Sequence, residues 1–202
     1  MSLKNSYSGE DILECGCDEA GRGALAGPLF TAAVILPPRY KNDEINDSKQ
    51  LSPTDRQRLR LVIERDAVCF AVVPVSEQVI DNINILNATF QGMNKAIMQL
   101  SPAPSLLLID GNRFNNTTPY PYRCCIKGDA TYLSIAAASI LAKTYRDEWM
   151  EKLDREYPCY DWKKNKGYPT ASHRQTLLQK GPSPYHRHSF HLKSQLKLDL
   201  FS

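Results

Sequence analysis

The chain has no C-x-x-C cysteine pair, no apolar run long enough to cross a bilayer, no internal repeat and no low-complexity tract. Each absence removes a class of protein. The six cysteines (Cys15, Cys17, Cys69, Cys124, Cys125 and Cys159) sit mostly in apolar, strand-like stretches. They read as reduced, buried thiols, not as a disulfide framework or a zinc site. The polar start MSLKNSYSGED is unlike a signal peptide. A cytoplasmic monomer with no membrane partner is therefore expected. The most localised absence is of acid, since no Asp or Glu lies between Lys163 and Leu198. Residues 1–162 carry 17 Lys/Arg against 21 Asp/Glu, a net −4, whereas residues 163–202 carry 8 against 1, a net +7, and all four histidines. A basic flank beside an acidic body implies a polyanionic partner.

At 202 residues the chain suits one domain, with 1–162 as an α/β core and 163–202 as a basic, partly helical C-terminal extension packed on it. The stretch that stands out is Gly16-Cys17-Asp18-Glu19-Ala20-Gly21-Arg22-Gly23, where two adjacent carboxylates run into a glycine-flanked arginine. Asp11 to Cys17 reads as a short strand with Ile12, Cys15 and Cys17 as its apolar positions and Gly16 as a weak point. Neighbouring strand side chains face opposite ways, so a backbone turn near Glu19 is expected to bring both acids to one site. A P-loop is disfavoured, because Arg22 and Gly23 replace its Lys-Ser/Thr and two negative charges would occupy a phosphate cradle.

Downstream, Leu29 to Leu36 reads as a strand antiparallel to the first. Ser52-Pro53 starts a helix to about Arg65, Ala67 to Val75 is a third strand, and Ser76 caps a short helix that precedes a helical period over 86–100. Ser105 to Ile109 is an apolar strand ending in Asp110, and Tyr122 to Ile126 is followed by Asp129, so acids recur at strand ends. Tyr132 to about Tyr157 is the longest helix, with Ala136-Ala137-Ala138-Ser139 as a surface small enough to press on a sheet. Lys163 to Pro169 reads as a basic loop, and Thr170 caps a helix to roughly Gln179. The pattern gives a mixed sheet flanked by helices.

Gathering Asp18, Glu19, Asp110 and Asp129 would be unfavourable without compensating cations, because like-charged carboxylates raise one another's pKa. An all-oxygen acidic site beside a basic flank suits Mg²⁺ and phosphodiester chemistry. The ordered series Gly16 to Pro28 (GCDEAGRGALAGP), Asp47 to Lys49 (DSK), Ile109 to Gly111 (IDG), Lys127 to Asp147, Asn165 to Thr170 (NKGYPT) with His173, and His186 to Phe190 (HRHSF) resembles the ribonuclease HII family across nearly the whole chain.

That resemblance implies an RNase H-like fold and endonucleolytic cleavage, dependent on Mg²⁺ or Mn²⁺ in a two-metal arrangement, of RNA in RNA/DNA hybrids and on the 5′ side of ribonucleotides embedded in duplex DNA. The implied products carry a 5′-phosphate and a 3′-hydroxyl. It also implies that Asp18, Glu19, Asp110 and Asp129 are the metal-binding acids, that Gly21, Arg22 and Gly23 read the ribose 2′-hydroxyl, that Tyr168 stacks on the adjoining deoxyribose, and that Lys49, Lys143 and Arg146 contact phosphates. The histidine cluster is expected at phosphate and in local packing. Gln195 to Phe201 (QLKLDLF) resembles a peptide that docks on a sliding clamp. Rival readings are a non-catalytic hybrid-binding module and another nuclease of the same fold, such as a DNA resolvase.

Overall fold

The computed structural model describes residues 3–9 and 11–190, so His191 and the clamp-like peptide Gln195–Phe201 lie outside the described residues. Five strands form one sheet: β1 (Glu14–Ala20), β2 (Leu29–Ile35), β3 (Cys69–Val75), β4 (Leu106–Asp110) and β5 (Tyr122–Cys125). Their order is β3-β2-β1-β4-β5, with the pairs β3–β2 and β2–β1 antiparallel and the pairs β1–β4 and β4–β5 parallel. The mixed sheet follows from connection lengths: the tight link from β1 to β2 allows only an antiparallel hairpin, whereas the parallel β4 is reached through helices.

The helices are α1 (Pro53–Asp66), α2 (Glu77–Met98), α3 (Leu133–Glu156), α4 (Trp162–Asn165) and α5 (Ala171–Lys180). Ser52, Ser76 and Thr170 cap α1, α2 and α5 by accepting from the N–H of Asp55, Val79 and His173. Helix α2 is two segments joined at Asn84, whose φ of 65° breaks the helix and whose Oδ1 accepts from Leu86 N and Asn87 N to start the second segment. Where a basic loop was expected, Trp162–Asn165 forms one helical turn, bounded by Asp161 and Lys166 in the left-handed region.

Alternation along the strands sorts the core. Cys15, Cys17, Ala33, Ile35, Leu107 and Ile109 face α2 through Met93 and Ile97; Ala32 and Val34 face α1 and α3 through Leu59, Ile63 and Ala136 to Ala142. The small stripe of α3 lets it lie directly on β1. Gly16 marks the closest approach, since a Cβ there would overlap the backbone of Ser134 and Ile135. The strand's weak point by propensity is the place where helix and sheet touch.

Cys159 is the exposed member of six free thiols; Cys15, Cys17 and Cys125 are buried and the other two half-buried. Among the described residues no helix is long and apolar enough to cross a membrane.

Candidate active site

Strand β1 continues through Asp18 and Glu19 to Ala20, pairing Asp18 with Ala32 and Glu19 with Thr31. The expected turn at Glu19 is therefore absent. The two acids leave opposite faces of the strand: Asp18 lies on the α3 side beside Ser139, and Glu19 lies on the α2 side, bordering a small cleft with Phe90 and Met93. They still share one cavity, at the place where pairing with β4 stops at Cys17 and leaves that edge of β1 open.

Asp110 stands at the C-terminal end of the neighbouring parallel strand β4. Its Oδ1 accepts from Gly128 N at 2.8 Å, which ties it to the one-turn 3-10 segment Gly128–Ala130 that carries Asp129. The four carboxylates thus come from two parallel strand ends and the turn after β5, and all line a cavity of about 260 Å³. Gly21, Arg22, Gly23, Ser48, Lys49, Ser139, Lys143 and Tyr168 complete the lining.

The electrostatics fit a cation. Burial, then Glu19 and Asp110, pushes the Asp18 carboxyl well above the usual range, and burial together with neighbouring acids raises Glu19 and Asp110. Two protein cations partly relieve this charge: Lys49 Nζ is 2.8 Å from Asp129 Oδ2, and Arg22 Nη1 is 3.2 Å from Glu19 Oε1. Among the described residues no group of three or more His, Cys, Asp or Glu side chains forms a ready-made metal cage. What is present is an oxygen-only donor set, open on one side and short of positive charge, which suits Mg²⁺ or Mn²⁺ completed by water and phosphate oxygens.

Arg146 is elsewhere. It is 1% exposed, and its guanidinium donates to the carbonyls of Pro28 (3.0 Å), Lys166 (2.9 Å) and Ala26 (3.2 Å). It is a buried clamp joining the segment after Gly23 to the loop before Tyr168, and this replaces the phosphate contact expected of it. An added Cβ on Gly21, at φ 99°, would meet the Arg146 side chain, so this glycine is fixed by both conformation and space. Gly23 has open space beside it, the side from which a substrate can approach.

Two contributors were not singled out in the sequence. Arg187, 2% exposed, donates from Nη1 to Arg22 O at 3.0 Å and from Nε and Nη2 to Gly27 O at 3.0 and 2.7 Å, so it holds the arginine-glycine turn from beneath. Its signal was the HRHSF motif, read for its histidines. Ser139 meets Ser48 Oγ at 3.0 Å and favours the ionised form of Asp18; its signal was the serine closing a run of alanines.

Two of the histidines, His173 and His186, pack in the interior instead of meeting phosphate, whereas His188 is exposed. His173 and His186 are buried, with Nε2 atoms 3.2 Å apart. Trp162 Nε1 donates to His173 Nε2 at 3.1 Å, so that atom is an acceptor and His173 Nδ1–H donates to Tyr168 O at 2.9 Å. His186 then donates through Nε2–H and accepts from Ser183 at Nδ1. Burial holds both rings neutral, His186 down at about 4. The pair thereby fixes the carbonyl of Tyr168, whose ring is 39% exposed at the cavity rim with the Arg146 guanidinium carbon 5.2 Å from its centre.

Comparison with known proteins identifies the family. The family model described as Ribonuclease HII matches residues 15–193. The Ribonuclease HII of Bacteroides fragilis is 58% identical over 193 residues, covering 96% of each chain. That of Cytophaga hutchinsonii is 54% identical over 202 residues, covering 100% of this chain and 99% of the relative. Among solved structures, the ribonuclease H2 of Pyrococcus horikoshii OT3 superposes with a TM-score of 0.78 at 23% identity, covering 93% of this chain and 98% of that one. The PCNA:RNase HII complex of Archaeoglobus fulgidus gives 0.74 at 24% identity, covering 90% and 96%. Bst-RNase HIII in complex with Mn²⁺ gives 0.68 at 20% identity, covering 94% and 70%. At these identities the solved structures speak to the fold.

Proposed function

The chain belongs to the ribonuclease HII family and is a ribonuclease H endonuclease, and from that premise we propose that it hydrolyses RNA in RNA/DNA hybrids and cuts on the 5′ side of single ribonucleotides in duplex DNA, leaving 5′-phosphate and 3′-hydroxyl ends. The observation that carries the reading is the convergence of Asp18, Glu19, Asp110 and Asp129 in one cavity with Gly21, Arg22, Gly23 and Tyr168 around it.

We assign the four carboxylates as ligands of two Mg²⁺ or Mn²⁺ ions, which when bound supply an activated water and a Lewis acid for the departing oxygen. The remaining work falls to the chain's own groups. The backbone at Gly21 and Gly23 comes close to the 2′-hydroxyl of the ribose; the support is the open space at Gly23 and the pinning of the turn by Arg187. Tyr168 offers an aromatic face to the sugar on the far side of the junction. Lys49 and Lys143, in the lining of the same cavity, balance phosphate charge.

The test is a duplex bearing one ribonucleotide. The chain should nick it at the 5′ side of that ribonucleotide with Mg²⁺ or Mn²⁺ and lose all activity in excess chelator, leaving an all-DNA duplex intact. Nicking of the all-DNA duplex would point to a resolvase-like nuclease, and metal-dependent binding without nicking to a hybrid-binding module.

A sliding clamp is proposed as a second partner through Gln195–Phe201. The apolar residues of that peptide support it, as does the PCNA complex of the Archaeoglobus fulgidus neighbour. Removing residues 195–202 should abolish capture by immobilised clamp while nicking persists; equal capture of both forms rejects the idea.

A further inference from the structure

The four acids differ in what neutralises them. Asp18 and Asp110 accept from backbone N–H groups, of Glu19 at 2.7 Å and Gly128 at 2.8 Å, which are fixed parts of the fold. Asp129 and Glu19 are met by side-chain cations. The Lys49–Asp129 pair is the more lopsided: the lysine side chain is 70% exposed and the aspartate 6%. An enclosed carboxylate is therefore balanced by an ammonium whose flexible stem lies mostly in water. Such a cation can leave at little cost, because solvated ion pairs contribute little, whereas the enclosed carboxylate must keep some positive partner.

Only the stem of Lys49 needs to move. Lys49 N donates to Asp47 Oδ1 at 2.9 Å, and the Arg56 guanidinium holds the carbonyls of Ser48 and Leu51 at 3.0 and 2.7 Å, so the backbone carrying the lysine is anchored. Asp129 Oδ2, where the ammonium sits, is an oxygen of the candidate metal site.

We propose that Lys49 is a displaceable counter-ion: in the free protein its ammonium occupies Asp129 in competition with the divalent cation, and when the cation loads, the lysine transfers to a backbone phosphate of the nucleic acid. The inference rests on the reading of the four acids as the metal site. It makes metal and nucleic acid bind cooperatively, because each draws away what hinders the other, and the coupling is reciprocal by linkage. The competition lowers apparent metal affinity by the fraction of molecules in which the pair is closed.

Mn²⁺ binding to the full chain, followed by titration calorimetry without nucleic acid, tests this. Lys49→Met keeps the stem and removes the charge, and should bind Mn²⁺ about fivefold more tightly than the wild type. Lys143 lines the same cavity and makes no ion pair with the described residues, so Lys143→Met controls for the general loss of positive field and should change affinity less than about twofold. Adding an all-DNA duplex should tighten Mn²⁺ binding more in the wild type than in Lys49→Met, where only the phosphate oxygens that complete the cation's shell contribute. An unchanged or weaker affinity in Lys49→Met, equal gains in the two lysine variants, or the same duplex effect with and without Lys49 would overturn the proposal. Asp129→Asn separates this failure from that of the site itself: if it binds Mn²⁺ as the wild type does, the metal-site reading falls too.

Discussion

Asp129→Asn abolishes metal-dependent nicking of a duplex with one ribonucleotide, by roughly three orders of magnitude or more in rate, while leaving the melting temperature nearly unchanged. The amide keeps the shape of the carboxylate in the 3-10 turn and removes only its charge. The folded state loses an ion pair to a largely solvated lysine, worth about 0–1 kcal/mol, and the backbone contacts of the turn, such as Thr131 N to Gly128 O at 2.9 Å, do not involve the side chain. The loss is thus one of chemistry and not of architecture. The measurement is the single-ribonucleotide gel assay beside a thermal melt of the same sample. Activity within tenfold of the wild type would remove Asp129 from the reaction.

Acidic residues were legible in the sequence because each closes an apolar strand-like run, and strands that end together deliver their last residues to one place. Asp110 illustrates this best: five residues of β4 name both its depth and its end. The positions of Asp18 and Glu19 were legible, but their orientation was not. Alternation argues for a turn only if both strand edges are flanked, and here pairing with β4 stops at Cys17, so acids on opposite faces line one cavity. Arg146 and Arg187 were illegible for a different reason. The resemblance gives Arg146 a phosphate and Arg187 passes unread among the histidines, and nothing local marks either as a side chain that satisfies buried carbonyls, most of them more than a hundred residues away in sequence. The same holds for Gly16: propensity records its weakness within a strand, whereas its importance comes from a helix starting at Leu133.

Gly16→Ala is the substitution with the largest expected effect on stability, on the order of 3 kcal/mol or more in loss, which for a chain of this size corresponds to a fall in Tm of roughly 6–12 °C. Alanine is intrinsically better than glycine in a strand by about 0.5–1 kcal/mol, so propensity alone predicts a gain. The new methyl would instead overlap the peptide group between Ser134 and Ile135, which belongs to a helix lying against β1 and β2 and cannot give as a flexible side chain would. Sheet and helix would have to part where Asp18 and Ser139 meet, so activity should fall with stability. Gly23→Ala is the matched control: it has open space and an ordinary backbone conformation, and its Tm should stay within about 2 °C of the wild type. Equal melting of the two variants would show that α3 is not seated on Gly16.

The two buried arginines also bear on when the enzyme comes into being. Arg187 reaches back 165 positions to Arg22 and 160 to Gly27, and Arg146 reaches back 118 and 120 to Pro28 and Ala26. The segment Gly21 to Pro28 is spelled within the first 30 residues, but its carbonyls find their partners only once Arg146 and Arg187 have been made. A nascent chain made at about 5–20 residues per second therefore spends on the order of ten seconds between the synthesis of this turn and that of the arginines that fasten it.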